Sequence, residues 1–207
     1  IMKVKVLGFT HGIAPMGPED LLEYAGRVCY KTDTRDARKF LQARIREGHE
    51  SLIEHASITF EIEGISRACS HQLVRHRIGC SFSQESQRYV DMRGPIEFVV
   101  PPAIDANEDA LEVYFKFLTI VEDVYDELRG MGIRKEDARF VLPNATQTRI
   151  VVTMNFRALR HFIKVRCDKA AQWEIRELAT KMLHLAYDIA PSVFSDLYEE
   201  YIIERGM

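Results

Sequence analysis

Between Asn107 and Arg129, the residues Leu111, Val113, Tyr114, Phe117, Leu118, Val121, Val124, Tyr125 and Leu128 recur at helical spacing. Positions three and four apart share one face of a helix, so this segment is predicted to form one long amphipathic helix. Gly130 and Gly132 are expected to close it. Lys3 to Phe9, Ala56 to Ile62 (closed by Gly64) and Thr148 to Asn155 read instead as strands. Arg88 to Asp91 and Glu97 to Val100 are expected as strands around a turn at Gly94-Pro95, with Pro101-Pro102 stopping the second. Pro18-Glu19-Asp20 opens a helix with proline and acids in its first turn. A second helix is predicted from about Thr34 to Glu47, ended by Gly48. Others are predicted over Ser66 to about His76, Arg157 to Val165, Lys169 to Ala190 and, after Pro191, Ser192 to Arg205. Thr10 to Gly17 and Ile78 to Tyr89 are expected to be loops. Strands and helices follow no strict βαβ order. The expected fold is therefore α+β, with a mixed or antiparallel central sheet flanked by helices in a single domain spanning residues 1–207.

Composition narrows the function classes. The 207 residues are 46% hydrophobic and 29% charged, enough to bury one core. A net charge of -3 and a pI of about 6.2 argue against non-specific wrapping of nucleic acid, so an anion site has to be a local basic pocket. Cys29, Cys69, Cys80 and Cys167 are scattered, which suits a reducing compartment, and Cys29 and Cys167 read as core thiols. No His/Cys/Asp/Glu set has metal-ligand spacing. No apolar run approaches the roughly 18 residues of a membrane span, and the amino terminus has no signal-peptide character. Ile1 ahead of Met2 reads as a cloning remnant, and the expected location is the cytoplasm.

The chemistry concentrates in one stretch. Arg67, His71 and Arg75 fall at i, i+4 and i+8 of the predicted helix. Like charges so spaced cost a helix a few tenths of a kcal/mol, which a bound anion would offset. Gln72 precedes Arg75-His76-Arg77, and the loop Ile78-Gly79-Cys80-Ser81-Phe82-Ser83-Gln84-Glu85-Ser86-Gln87-Arg88 follows. Its hydroxyls, amides and closing guanidinium suit a phosphate or nucleobase.

Arg75-His76-Arg77, eight further residues, then Ser86 and Arg88 resemble the signature of the flavin-dependent thymidylate synthases. That signature has seven or eight residues between its arginines and its serine; this chain takes the longer spacing, with an extra residue before Ser81. The likeness continues in Gly48-His49-Glu50-Ser51-Leu52-Ile53-Glu54-His55, in Ala138-Arg139-Phe140-Val141-Leu142-Pro143, in Asn155-Phe156-Arg157 with His161, and in Arg166-Cys167-Asp168 ahead of Ala171-Gln172-Trp173. At the position of His161 the family more often has Asn.

The resemblance implies reductive methylation of dUMP, with methylenetetrahydrofolate as carbon donor, NADPH as reductant and FAD as mediator. The flavin would carry the redox chemistry, which accounts for a sequence without a triad or metal cluster. By the same resemblance Gln72, Leu73, Val74, Arg75, Gln84, Glu85, Ser86, Gln87, Arg88, Arg139 and Arg166 bind dUMP. His49, Ser51, Glu54, Arg75, His76, Arg77, Gln84, Asn155, Phe156, Arg157 and His161 face FAD. Arg166 is the catalytic residue, a fixed cation beside the uracil ring, and Ser86 is a ligand rather than a nucleophile. The family's active sites are shared between subunits of a homotetramer, and neither nucleic acid nor a membrane is an expected partner.

Other readings stand beside these. Asn155 would also serve as a helix cap. Arg139 and Arg166 would also serve as surface ion-pair partners, His49 and His55 as ordinary histidines, and Trp173 as a core residue. The basic run fits a nucleic-acid-binding module, and Cys80 with His76 fits a thiol hydrolase.

Overall fold

The computed structural model describes residues 1–30 and 36–206. Four strands, β1 (Lys3–Phe9), β2 (Ser57–Ser66), β3 (Cys80–Gln84) and β4 (Gln147–Asn155), form an antiparallel sheet in the order β1-β2-β4-β3. Around them the chain runs through α1 (Pro18–Tyr30), α2 (Ala37–Arg46), α3 (Arg67–Leu73), α4 (Pro102–Asp105), α5 (Glu108–Gly130), α6 (Lys135–Ala138), α7 (Phe156–Arg166), α8 (Trp173–Ile189) and α9 (Pro191–Tyr198). Short 3-10 turns occupy Glu50–His55 and Arg139–Val141, and a π-helical turn, Glu199–Glu204, follows α9. The fold is α+β, as the pattern of the sequence predicts.

The backbone resolves into two compact units. The first takes residue 1, 63–71 and 84–150; the second takes 2–62, 72–83 and 151–207. In the first unit α5 is the organising element. Asn107 caps it, its side chain accepting from the Ala110 N–H at 3.0 Å, and Leu118, Val121 and Tyr125 form its buried stripe. α4, α6 and the Arg139–Val141 turn pack against it.

In the second unit the inner face of the sheet is set by alternation. Val152 and Met154 on β4, and Ile58, Phe60 and Ile62 on β2, are fully buried. On the opposite face the Thr59 and Thr153 hydroxyls bond across the two strands at 2.8 Å. α7, α8 and α9 pack on one another and bury Phe156, Leu159, Phe162, Ile163, Leu178, Met182, Val193 and Phe194. The Glu19 carboxylate of α1 accepts from the Ser192 N–H at 2.6 Å and from its hydroxyl at 2.7 Å, tying the amino-terminal helix to the start of α9.

Several boundaries differ from the sequence expectations. β2 does not close at Gly64. It runs on to Ser66, and the buried phase shifts from Ile62 to Ile65 as Gly64 takes up the extra residue at φ +73°. The helix predicted from Ser66 to His76 stops at Leu73, where backbone bonds Arg75 N–H to Gln72 O and His76 N–H to Leu73 O tighten the chain into a turn. Arg75 therefore lies beyond the helix that carries Arg67 and His71. The predicted loop after Ile78 contains β3, in which Cys80, Phe82 and Gln84 are half-buried and Ser81 and Ser83 exposed.

No strand forms over Arg88 to Asp91 or Glu97 to Val100. The first is a turn closed on the Ser86 carbonyl, and the second makes one isolated bridge, Phe98 to Thr146. The short α4 and α6 were not expected. α8 begins at Trp173 rather than Lys169, because Gln172 caps it. The last predicted helix is split into α9 and the π-helical turn. The predicted start of the second helix, at Thr34, lies outside the described residues. Cys167 is buried as expected, whereas Cys29 is exposed and Trp173 only half-buried. Among the described residues no helix is long and apolar enough to cross a membrane, and no group of three or more His, Cys, Asp or Glu residues is arranged to hold a metal ion.

Candidate active site

In the second unit the arginine at the end of α7 is held on one side. Arg166 Nε donates to His76 Nε2 at 3.0 Å, and its Nη2 donates to the Gln72 carbonyl at 3.3 Å. Its Nη1 has no partner among the described residues. The His76 ring stands edge-on to Phe162, 5.1 Å between centroids, and 6.0 Å from His161. Burial, then the charges of Arg166 and His161, lower the His76 pKa to about 4. The ring is therefore neutral at physiological pH. Because Nε2 accepts a hydrogen bond, the proton sits on Nδ1.

The residues flanking His76 are different. Arg75 and Arg77 are exposed, and neither guanidinium is paired with another described residue. Two unpaired cations either side of a neutral imidazole make a local anion site in a chain of net charge -3. The turn that follows is pinned to α7. Gly79 has φ +70°, its carbonyl accepts the Asn155 N–H at 2.9 Å, and a Cβ there would fall 2.5 Å from Asn155 Nδ2. Only glycine meets both conditions. Asn155 also caps α7, its Oδ1 accepting from the Ala158 N–H at 2.8 Å, so the capping reading of this residue holds.

Arg157 pairs with Glu54 at 2.6 Å with both side chains about half exposed, which links the first turn of α7 to the Glu50–His55 turn. His49, Ser51 and His161 are exposed. Leu73 and Phe156 are fully buried, so either can reach a ligand only through its backbone; Val74 is half-buried.

The first unit holds the remaining expected residues. Gln84 points inward, and its Nε2 donates to Ser70 Oγ at 2.9 Å and to Thr148 Oγ1 at 3.2 Å. Ser70 spends its own hydrogen on the Arg67 carbonyl at 3.0 Å, so it can only accept from Gln84. That fixes the amide orientation and turns the Gln84 carbonyl oxygen away as an acceptor. Ser86 Oγ accepts the Arg88 N–H at 3.2 Å within the turn and is left with a hydrogen to donate. Gln87 Nε2 is buried without a partner among the described residues, an orphan donor that costs about 1–3 kcal/mol unless a ligand satisfies it. Glu85 is exposed.

Arg88 is partly neutralised by Glu136 at 2.8 Å, a carboxylate it shares with Arg134. Arg139 gives its Nε to the Glu136 carbonyl at 3.1 Å. Burial and the nearby charge of Arg139 pull the Arg67 pKa below its usual value, against the opposing pull of Glu85. Cations pressed together in this way favour an incoming anion.

The second unit thus gathers Gln72, Arg75, His76, Arg77, Asn155, Arg157, His161 and Arg166, while Gln84 to Arg88 and Arg139 belong to the first. The ion-pair reading of Arg166 does not hold, since its partners are an imidazole and a carbonyl. Sequence reasoning missed Ser70 and Thr148 as the groups that orient Gln84; lone hydroxyl residues carry no motif, and only the inward register of β3 exposes their role. Cys80 is half-buried on β3, its thiol donates to the Ile78 carbonyl at 3.5 Å, and burial pushes its pKa up. A nucleophilic thiol needs the opposite shift, so the hydrolase reading has no support.

Residues 13–192 match the family described as thymidylate synthase complementing protein. The chain is similar to the flavin-dependent thymidylate synthase of Geobacter sulfurreducens, with 48% identity covering 94% of this chain and 86% of that one. It is similar to that of Clostridium tetani at 37% identity, covering 93% and 85% of the two chains. To that of Pyrococcus furiosus the identity is 48%, covering 78% and 67%.

Proposed function

The chain belongs to the thymidylate synthase complementing protein family, and we propose from that membership and from its site that it converts dUMP to dTMP as a flavin-dependent thymidylate synthase. The observation that carries the proposal is the state of Arg166: one edge of its guanidinium is spent on His76 and Gln72, and the rest is available to a ligand. A cation held this way beside a uracil ring stabilises negative charge developing in the ring without reorganising during the reaction. No covalent nucleophile is then required. Cys80 is disfavoured as a thiolate, and Ser86 has no partner base among the described residues.

The donor set suits FAD. The unpaired Arg75 and Arg77 fit a diphosphate, His161 offers an exposed ring, and Ser51, Asn155 and the Arg157–Glu54 pair add polar contacts. Bound FAD supplies the redox chemistry, methylenetetrahydrofolate the carbon and NADPH the reducing equivalents. Arg88, Arg139 and the orphan Gln87 amide hold the nucleotide with Ser86 and Gln84. Charge-assisted bonds to a phosphate dianion contribute roughly 1.5–3 kcal/mol each, so these arginines dominate affinity. The working form is a homotetramer with active sites shared between subunits.

The test is the visible spectrum of the purified protein after incubation with FAD, before and after dUMP. The expected result is a bound flavin whose bands shift on addition of the nucleotide. A protein that retains no flavin, or one that runs only as a monomer on sedimentation and still turns over, would remove the flavin site or the shared site respectively.

A further inference from the structure

We propose, resting on the reading above, that His76 is a positioning residue for Arg166. Its Nδ1–H tautomer accepts the Arg166 Nε–H, and with the Gln72 carbonyl it fixes the guanidinium plane so that only the outer edge of the fork meets the substrate. A guanidinium has two donor edges. One is formed by Nε and Nη2, the other by Nη2 and Nη1. His76 at 3.0 Å and Gln72 O at 3.3 Å take one hydrogen each from the first edge. The second Nη2 hydrogen and both Nη1 hydrogens remain, in the plane and direction that the first two bonds impose.

The histidine is itself braced. Phe162, one helical turn before Arg166 on α7, meets the His76 ring edge-on at 84°, and His161 meets it at 62°. The same helix therefore supplies both the arginine and the wall that orients the arginine's acceptor. A charged imidazole could not do this work, because both its nitrogens would donate and Arg166 would face a like charge. The low proton affinity already described keeps the ring an acceptor. The chemistry selected is a planar substrate edge with two adjacent acceptor positions, which a deprotonating N–C=O edge provides.

The direct test needs neither flavin nor turnover: long-range 15N correlation spectra of the apoprotein with labelled histidine, near pH 7. The expected result is a His76 with a bare Nε2 and a protonated Nδ1, a preference that relaxes in Arg166→Ala. A His76 protonated at Nε2, alone or together with Nδ1, would overturn the proposal. The second test is kinetic, with rates normalised to bound flavin. His76→Phe keeps a ring against Phe162 but removes the acceptor. It is expected to lower kcat about tenfold or more, bounded by the roughly hundredfold cost of a misplaced group, and to change the KM for dUMP less. His76→Gln, which can accept from Arg166, should recover part of the loss. An unchanged kcat in flavin-loaded His76→Phe would equally overturn it. A wild-type protein that neither binds FAD nor forms dTMP would defeat the functional reading alone, because the tautomer spectrum stands independently of it.

Discussion

Replacing Arg166 by alanine is expected to lower the rate of dTMP formation by roughly 100- to 1000-fold, the cost of removing one preorganised donor aimed at developing charge. The loss should fall on kcat more than on the KM for dUMP, since the proposed phosphate ligands Arg88 and Arg139 are untouched. Arg166→Lys should be nearly as damaging. An ammonium keeps the charge but is a point donor without a fork, and it cannot engage the His76 ring and the Gln72 carbonyl as one planar edge does. Ser86→Ala is the useful contrast. Its hydroxyl accepts the Arg88 N–H in a local turn, so the variant should retain measurable turnover with weaker nucleotide binding. Steady-state assays of flavin-loaded variants decide the matter. An Arg166→Ala enzyme within tenfold of wild type, or an inactive Ser86→Ala that still binds dUMP, would reverse these assignments.

The second large effect is on stability. Arg160 is the bulkiest of the fully buried side chains, 1% exposed. It makes a two-pronged pair with Asp196 at 2.7 and 2.6 Å, donates to the Val193 carbonyl, and reaches Glu50 at 3.4 Å. Lys164 meets the same Glu50 carboxylate at 3.3 Å. Arg160 is buried, but Asp196 is half-exposed and Glu50 keeps Lys164, so what Arg160→Met forfeits is the charged hydrogen bonds themselves, about 1.5–3 kcal/mol. For a chain of this size that is a fall in Tm of roughly 3–12 °C. Arg157→Met removes an exposed pair from the same helix and should cost under about 1 kcal/mol. Burial raises the Asp196 pKa, but hydrogen bonds and charge from Arg160 outweigh it and hold the carboxyl below the usual carboxylate range. The pairing therefore contributes at neutral pH and is lost as the pH falls through that lowered pKa and Asp196 is protonated. Thermal melts of the two variants at pH 7 that coincide would sink this account.

Much of the architecture can be read from local pattern, and the failures have identifiable causes. α5, β1 and β4 emerge almost at their observed ends because each carries a long run of a single period with a cap or breaker at its limits. β3 was hidden because its alternation is short and its outward residues are serines, which read equally as loop. The helix over Ser66 to His76 was overextended because Val74, Arg75 and His76 have acceptable helical propensity. What ends it at Leu73 is tertiary: the chain turns so that His76 can pack on Phe162, a residue far along the sequence.

The candidate site shows the same division. Arg166, His76 and the asparagine cap can be picked out as residue types in order along the chain. That one arginine edge is already occupied, that Gln84 is locked by Ser70 and Thr148, and that Leu73 and Phe156 can offer a ligand only their backbone depend on contacts between distant segments, which no local pattern encodes.

Gly79 marks the point where a change in the length of this stretch disturbs its neighbours least. It sits in a left-handed turn between the end of α3 at Leu73 and the start of β3 at Cys80, outside both elements. A residue gained there lengthens only the hinge. The same gain inside β3 would exchange the two faces of the strand, throwing Gln84 outward and drawing Ser83 in, since side chains alternate with period two. The glycine thus marks an expansion joint: a residue added there leaves the reading frame of the pleat intact, and the polar groups downstream keep their aim.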